Sequence, residues 1–401
     1  MKKIVVLGGA EFQLPLIIAA KSLGYYVIII DFRKDVVGKQ YGDVYYQADA
    51  TDYAVVLDIC NQENIDGIVS NSEYTVSVAN RVATELSLNG NSVECIEKLQ
   101  SKALFRKVQS DINVFSPKSI EVSNLQQCLT QSQNLRYPII IKPSESSGTR
   151  GTTKVVLFDE LLISKCFHEC QSFSRNNLVT IEEYIEMPSL TTVEGDVFIY
   201  NGHILWNGLY NTTRSLHAPM IPMTYSAPLV IGQEKEKIIK ETISKIFASA
   251  EVRFGQFNIE GYFTSSGDFF VIEINARQGG NGLSFFLEKF TTIDYNKLLV
   301  STAVDDKAYW NDICNMSLPK KYVLQHSAYS YKDGILTGIK ISDQIRPYVT
   351  RINKVLEVGD PVIGCKDASN LVAIINVEFN DIETYLSYYR CLDRHITVLV
   401  D

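Results

Sequence analysis

Two short, mostly apolar segments flank a polar turn, and both carry acids. The first reads Phe257-Asn258-Ile259-Glu260-Gly261-Tyr262-Phe263 and the second Phe269-Phe270-Val271-Ile272-Glu273-Ile274-Asn275. Ser265-Ser266-Gly267-Asp268 lies between them. Aromatic and β-branched runs around a Gly-containing turn predict a β-hairpin, which sets Glu260 opposite Glu273. Side chains alternate along a strand, so Glu273, Asn275 and Arg277 share one face. An ionised acid beside Phe269, Phe270, Val271 and Ile272 is costly unless a cation or donor meets it. The hairpin is therefore expected to floor a site. Two carboxylates and an amide oxygen suit Mg²⁺ (or Mn²⁺) that also keeps phosphate oxygens and water. Arg277 adds a planar cation for a transferring phosphoryl group. Gly279, Gly280 and Gly282 would let backbone amides approach an anion.

The rest of the chain gives this hairpin its setting. Residues 3–7 and 26–30 are β-branched runs, and Leu14 to Leu23 between them has helical apolar spacing that ends at Gly24. That is a strand–helix–strand unit with a parallel crossover. Ile65–Ser70 and Val76–Leu86 add a strand and a helix, so residues 1 to about 110 are expected to form a mainly parallel α/β domain. The first turn, Gly8-Gly9-Ala10-Glu11-Phe12-Gln13, lacks the third glycine of a dinucleotide fingerprint and holds an acid. Asp31 imitates the ribose-binding acid, but NAD is not expected. Ile139–Ile141 and Lys154–Phe158 predict a hairpin around a Ser/Gly/Thr loop. Val179–Tyr184, Asp196–Tyr200, His203–Leu209, Gln256–Thr264 and Phe269–Ile274 predict antiparallel strands, and 233–249 an amphipathic helix. From about residue 311 a small α+β region follows. Its strands are expected near Tyr322–Ala328, Val355–Leu356, Leu371–Glu378 and Ile396–Val400, with a helix near Ile382–Leu392.

Composition narrows the function classes. The net charge is -8 over 401 residues, which speaks against nucleic acid as a partner. No apolar run reaches membrane length, and the opening Met1-Lys2-Lys3 leads into a strand and turn. A cytosolic protein without a membrane partner is expected. The eight cysteines include no CxxC. Cys166, His168 and Cys170 lie close together but lack a second ligand pair, so zinc is not expected.

The string Glu273-Ile-Asn-Ala-Arg277 with Gly279-Gly280, preceded by Asn258-Ile-Glu260, resembles the metal and phosphate site of the ATP-grasp superfamily. Other segments fall in the same order. Ser101-Lys102 and Arg106 resemble the segment with the first nucleotide-binding lysine, and Ile139-Ile140-Ile141-Lys142-Pro143 the strand with the second. Ser144 to Gly151, including Ser147, Gly148 and Thr149, resembles the loop that closes over phosphates. Ile181-Glu182-Glu183-Tyr184-Ile185 resembles the strand that meets adenine, with Glu182 accepting from its amine. Glu186 or Glu194 would meet the ribose. The resemblance implies three parts: a Rossmann-like pre-ATP-grasp domain at 1–110, a two-lobed ATP-grasp domain at 111–310 with a lid over about 111–182, and a biotin-carboxylase-like domain at 311–401.

It also implies a ligase that uses ATP and Mg²⁺ to phosphorylate a small carboxylate and join it to an amine. The metal ligands would be Glu260, Glu273 and Asn275, with Glu273 and Arg277 catalytic. Glu73, Arg214, His217, Arg277, Gly279 and Gly280 are the expected substrate contacts. The alternatives are a non-catalytic ATP-binding protein and a biotin-type or carbamoyl-type carboxylase. Relatives often pair through the N-terminal or central domain, which leaves a homodimer open.

Overall fold

The computed structural model describes residues 1–144, 151–215, 217, 219, 221–280, 283–315, 321–366 and 368–401. Strands Lys3–Leu7, Tyr26–Asp31, Val44–Gln47 and Gly67–Val69 pair in parallel in the N-terminal sheet. Tyr26–Asp31 and Lys3–Leu7 are β-branched and almost wholly buried, as a sheet covered on both faces requires. Asp31 accepts from the Gly9 amide at 2.8 Å and pairs with Arg33, so the acid that imitated a ribose ligand closes its own turn.

Eight antiparallel strands form the central sheet. In spatial order they are Phe269–Asn275, Phe254–Phe263, Thr191–Tyr200, His203–Arg214, Pro222–Ala227, Tyr322–Ala328, Ala373–Phe379 and Val349–Lys354. The segment after residue 311 thus continues this sheet, through pairs such as Thr224 with His326. A smaller sheet of Ser119–Val122, Val179–Glu183, Ile139–Pro143 and Thr153–Val155 stands apart, in the stretch the resemblance assigned to a lid. A three-stranded sheet of Pro361–Val362, Gly334–Ile341 and Ile396–Val400 completes the C-terminal part.

Several boundaries differ from the sequence reading. The strand expected at Val355–Leu356 lies at Val349–Lys354. It is a sheet edge of mostly polar residues, so apolar periodicity does not mark it. The strand expected over Lys154–Phe158 stops at Val155, and Val156 and Leu157 are exposed. The last helix ends at Tyr388. Cys166 and Cys170 are buried in the Glu160–Phe173 helix while His168 faces outward.

Strand alternation gives the central sheet two unlike faces. Val193, Val197, Ile199, Leu209, Phe257, Ile259, Val271 and Ile274 form one core with helices Val93–Gln100, Lys102–Asp111 and Gln233–Ala250. On the other face, Phe198, Tyr200 and Tyr210 pack under helices Leu283–Thr291 and Tyr295–Ala303. Further along that second face the aromatics give way to acids.

Gly195 makes this layout feasible. Its φ is +144, and an added Cβ would lie 2.1 Å from the Gly208 carbonyl oxygen, where the register shifts. Gly195→Ala should therefore cost at least about 2 kcal/mol in urea unfolding. A variant of unchanged stability would show that this close strand approach is not required.

Candidate active site

The hairpin has the expected register: Glu260 opposes Glu273, and Asn258 opposes Asn275. A third strand extends both rows, because Glu194 opposes Glu260 and Asp196 opposes Asn258. Three carboxylates thus stand abreast on three neighbouring strands, with Asp196, Asn258 and Asn275 two positions along. Asn275 donates to Glu273 at 3.0 Å. Thr192 donates to Glu194 at 2.7 Å, and the Arg214 guanidinium bridges Glu194 and Glu260. Burial pushes the Glu260 carboxyl up to about 8; Arg214 opposes the rise, while Glu194 and Glu273 add to it. The row therefore holds more acid than one arginine neutralises, which is the condition in which a divalent cation fits. Among the described residues no three His, Cys, Asp or Glu close a cage around a metal. Glu260, Glu273 and Asn275 offer a partial oxygen set, as Mg²⁺ takes when phosphates complete it.

The cations come from two elements, the Lys102–Asp111 helix and the Ile139–Pro143 strand. Lys102 donates to the Ser144 carbonyl at 2.9 Å, and Lys142 pairs with Glu182. Burial, with Lys142 nearby, pushes the Lys102 ammonium down to about 8. Two buried ammonium groups at one place make a site for a polyanion. Gly151, at the end of the Ser/Gly/Thr loop, has a φ of +69 and lies against Phe173. Ser147, Gly148, Thr149 and Gly282 lie outside the described residues.

Glu182 departs from expectation. It is 2% exposed and clamped between Arg106 and Lys142, so it is no open acceptor for an adenine amine. Burial alone would raise its pKa, but Arg106 and Lys142 outweigh that and hold the carboxyl at about 2. Arg106 also donates to Gln109, to the Val271 carbonyl at 3.1 Å and to the Ile272 carbonyl at 2.8 Å. One side chain thereby ties the lid to the central sheet. Beyond Glu182, the Glu183 carboxylate meets Arg136, and Tyr184 lies under the Lys154 ammonium at 3.9 Å. The Ile185 carbonyl accepts from Tyr262 at 2.6 Å, and Glu186 is exposed beside Lys154.

The expected substrate contacts divide. Glu73 reaches Arg277 at 3.2 Å and Arg175 at 3.4 Å, so one carboxylate joins the N-terminal domain, the lid and the sheet. Arg214 is buried in the acid row. His217 is exposed and lies against Tyr331, with ring centroids 4.8 Å apart. The Gly279 amide, expected to face an anion, donates to Asp196 at 2.9 Å. A Cβ there would sit 2.6 Å from Leu283, so close packing explains this glycine. Gly280 has open space around its Cα. Asp196 escaped the sequence reading. Burial raises its pKa, against donors from Gly279, Asn258 and Gln256. The available signal was the alternation Glu194-Gly195-Asp196 within an otherwise apolar strand.

Residues 101–295 match the family model described as the carbamoyl-phosphate synthase L chain, ATP binding domain. The C-terminal section of the carbamoyl phosphate synthase large chain from Aquifex aeolicus is 23% identical over 302 residues, covering 69% of this chain and 53% of that protein. The chain thus spans about half of that relative, and 27% of the Clostridium acetobutylicum large chain, which is 24% identical over 69% of this chain. The L-amino acid ligase of Bacillus licheniformis superposes with a TM-score of 0.76 at 16% identity, over 100% of this chain and 99% of that one. Phosphoribosylglycinamide synthetase of Anaerococcus prevotii superposes with a TM-score of 0.69 at 19% identity, over 100% of both chains. No helix among the described residues is long and apolar enough to cross a membrane. The match and the superpositions agree: residues 101–295 form an ATP-grasp ATP-binding domain, and the whole chain shares the fold of these two structures.

Proposed function

We propose that the protein is an ATP-dependent ligase that phosphorylates a small carboxylate and joins the acyl group to an amine. The observation that carries this reading is the row Glu194–Glu260–Glu273, with Lys102 near enough to feel the Glu273 charge, Lys142 beside Lys102, and Arg277 four residues beyond Glu273 on the same chain segment. Lys102 and Lys142 bind the nucleotide phosphates. Glu183, Tyr184 and Ile185 line the adenine side. Glu194 opposes Glu260, which favours it over the exposed Glu186 as the ribose acid. Glu260, Glu273 and Asn275 hold Mg²⁺, which when bound offsets the charge of the transferring phosphoryl group. Arg277 holds the substrate carboxylate and then the oxyanion of the tetrahedral species. The amine lone pair forms the C–N bond, the acyl C–O bond breaks, and the amine proton leaves with phosphate.

The test is phosphate release over a panel of carboxylate–amine pairs, with mass spectrometry of the products. ATP turnover that requires both partners supports the ligase. ATP binding without turnover across the panel points to a binding protein.

Nucleotide affinity carries its own pH signature. Lys102 has a pKa near 8 in the free protein, below its usual range, and only its protonated form attracts phosphate. Affinity for ATP should hold below pH 8 and fall up to tenfold per unit above it. Lys102→Arg should flatten the profile in equilibrium binding. A native profile that stays flat to pH 10 would remove Lys102 from the phosphate site.

A further inference from the structure

On the site face of the Phe254–Phe263 strand, the side chains run Glu260, Asn258, Gln256. The first two belong to the acid rows. Gln256 lies beyond them, 2% exposed, and its Nε2 donates to Asp196 at 2.6 Å. Its Oε1 is buried, with no hydrogen-bond partner among the described residues. An unmet buried acceptor costs about 1–3 kcal/mol, so one beside a cavity invites a donor.

Such a cavity exists. A space of about 60 Å³ separates the central sheet from the N-terminal domain, lined by Gln256, Arg277, Ser70, Asn80 and Ala83 among others. Apolar side chains such as Ile68, Val76, Phe257 and Leu299 make up much of the remaining wall. At about 10–15 Å³ per water, it holds roughly four to six small atoms. Arg277 lines it, and the Arg277 carbonyl accepts from the Asn258 amide of the polar row at 3.1 Å, so the chamber adjoins the proposed acyl centre. The lining residues include no Asp or Glu, and Arg277 is the charged one. An ammonium would meet Arg277 and no acid in the lining, the neighbouring Asp196 and Glu73 being held by Gln256 and Arg277, whereas a neutral N–H donor would find an acceptor. The nearby polar groups are engaged elsewhere: Asn80 with Asn91 and the Val76 carbonyl, Ser70 with Thr75.

We propose that this chamber seats the amine substrate, and that it selects a small neutral amine whose N–H is oriented by Gln256 Oε1. The proposal rests on the ligase reading and deepens it: the carboxylate is taken at Arg277, and the nucleophile comes from the N-terminal-domain side. It limits the amine to about six heavy atoms.

Hydroxylamine, which is small and neutral at pH 7.5, is the probe. Crystals of the full chain soaked in hydroxylamine should show it within hydrogen-bond distance of Gln256 Oε1. Density for water alone at that position overturns the chamber, whatever the enzyme's activity. In the ADP-forming assay, Gln256→Met should raise the KM for hydroxylamine at least tenfold and move the KM for ATP less than twofold. Ala83→Leu fills the chamber from the opposite wall and should do the same. If either folded variant keeps the native hydroxylamine KM, the proposal fails. If no carboxylate supports ADP formation but the soak places hydroxylamine on Gln256, the ligase reading fails and the chamber stands.

Discussion

Glu273→Gln should lower carboxylate-dependent ADP formation by about a thousandfold while leaving the protein folded. The size follows from the role. A metal held at a transferring phosphoryl group supplies several kcal/mol, and about 4 kcal/mol is a factor of 10³. Glutamine keeps the shape and can still accept from Asn275. It removes one charge from a row in which Glu194, Glu260 and Glu273 crowd together. Loss of that repulsion predicts an unfolding temperature equal to or above the native one, as at sites where stability is given up for function. A thermal scan beside the ADP assay checks both halves. Near-native turnover would remove Glu273 from the metal set. A large fall in unfolding temperature would make it a packing residue.

Glu182→Gln should cost about 3–5 kcal/mol of stability. Arg106 and Lys142 would be left buried, at 6% and 12% side-chain exposure, with no counter-charge. The depressed carboxyl pKa expresses the same two interactions. Its folded value is about 2 against an ordinary 4.5, and that difference is worth on the order of 3 kcal/mol. The sign is that of a depressed acid. The stabilisation is complete above pH 4.5 and is lost as pH falls towards 2. Urea unfolding at pH 7 and pH 3 should therefore show the native–variant gap shrink to less than half. A gap that is small at pH 7 or independent of pH would contradict the clamp. Because Arg106 also grips the Val271 and Ile272 carbonyls, the variant should loosen the lid against the sheet as well.

What could be read from sequence follows how local each feature is. The Glu260–Glu273 pair was legible because one short turn sets its register and the acids interrupt apolar runs. The Thr191–Tyr200 strand pairs with the hairpin across more than fifty residues of chain, and nothing local reveals that Glu194 and Asp196 join the rows. Gly279 read as an anion contact because glycine after Arg277 fits that role; only packing against Leu283 and Asn258 shows its other purpose. Glu182 was expected to accept from an adenine amine, since its partners Arg106 and Lys142 come from other elements and nothing local reveals them. Glu73 was expected at the cleft, and the structure brings it to Arg277.

The two proposed metal carboxylates share a cross-strand pair in one continuous sheet, and this limits how a site like this one can diverge. Adjacent strands lie about 4.8 Å apart, a dimension set by backbone hydrogen bonds that no side-chain substitution retunes. The spacing of the acids is in effect a fixed gauge. Novelty is admitted at the margins instead, in the loop bearing Glu73, the segment after Arg214 and the wall around Gln256. Descendants of this scaffold can exchange one substrate for another there without re-machining the part that handles phosphate.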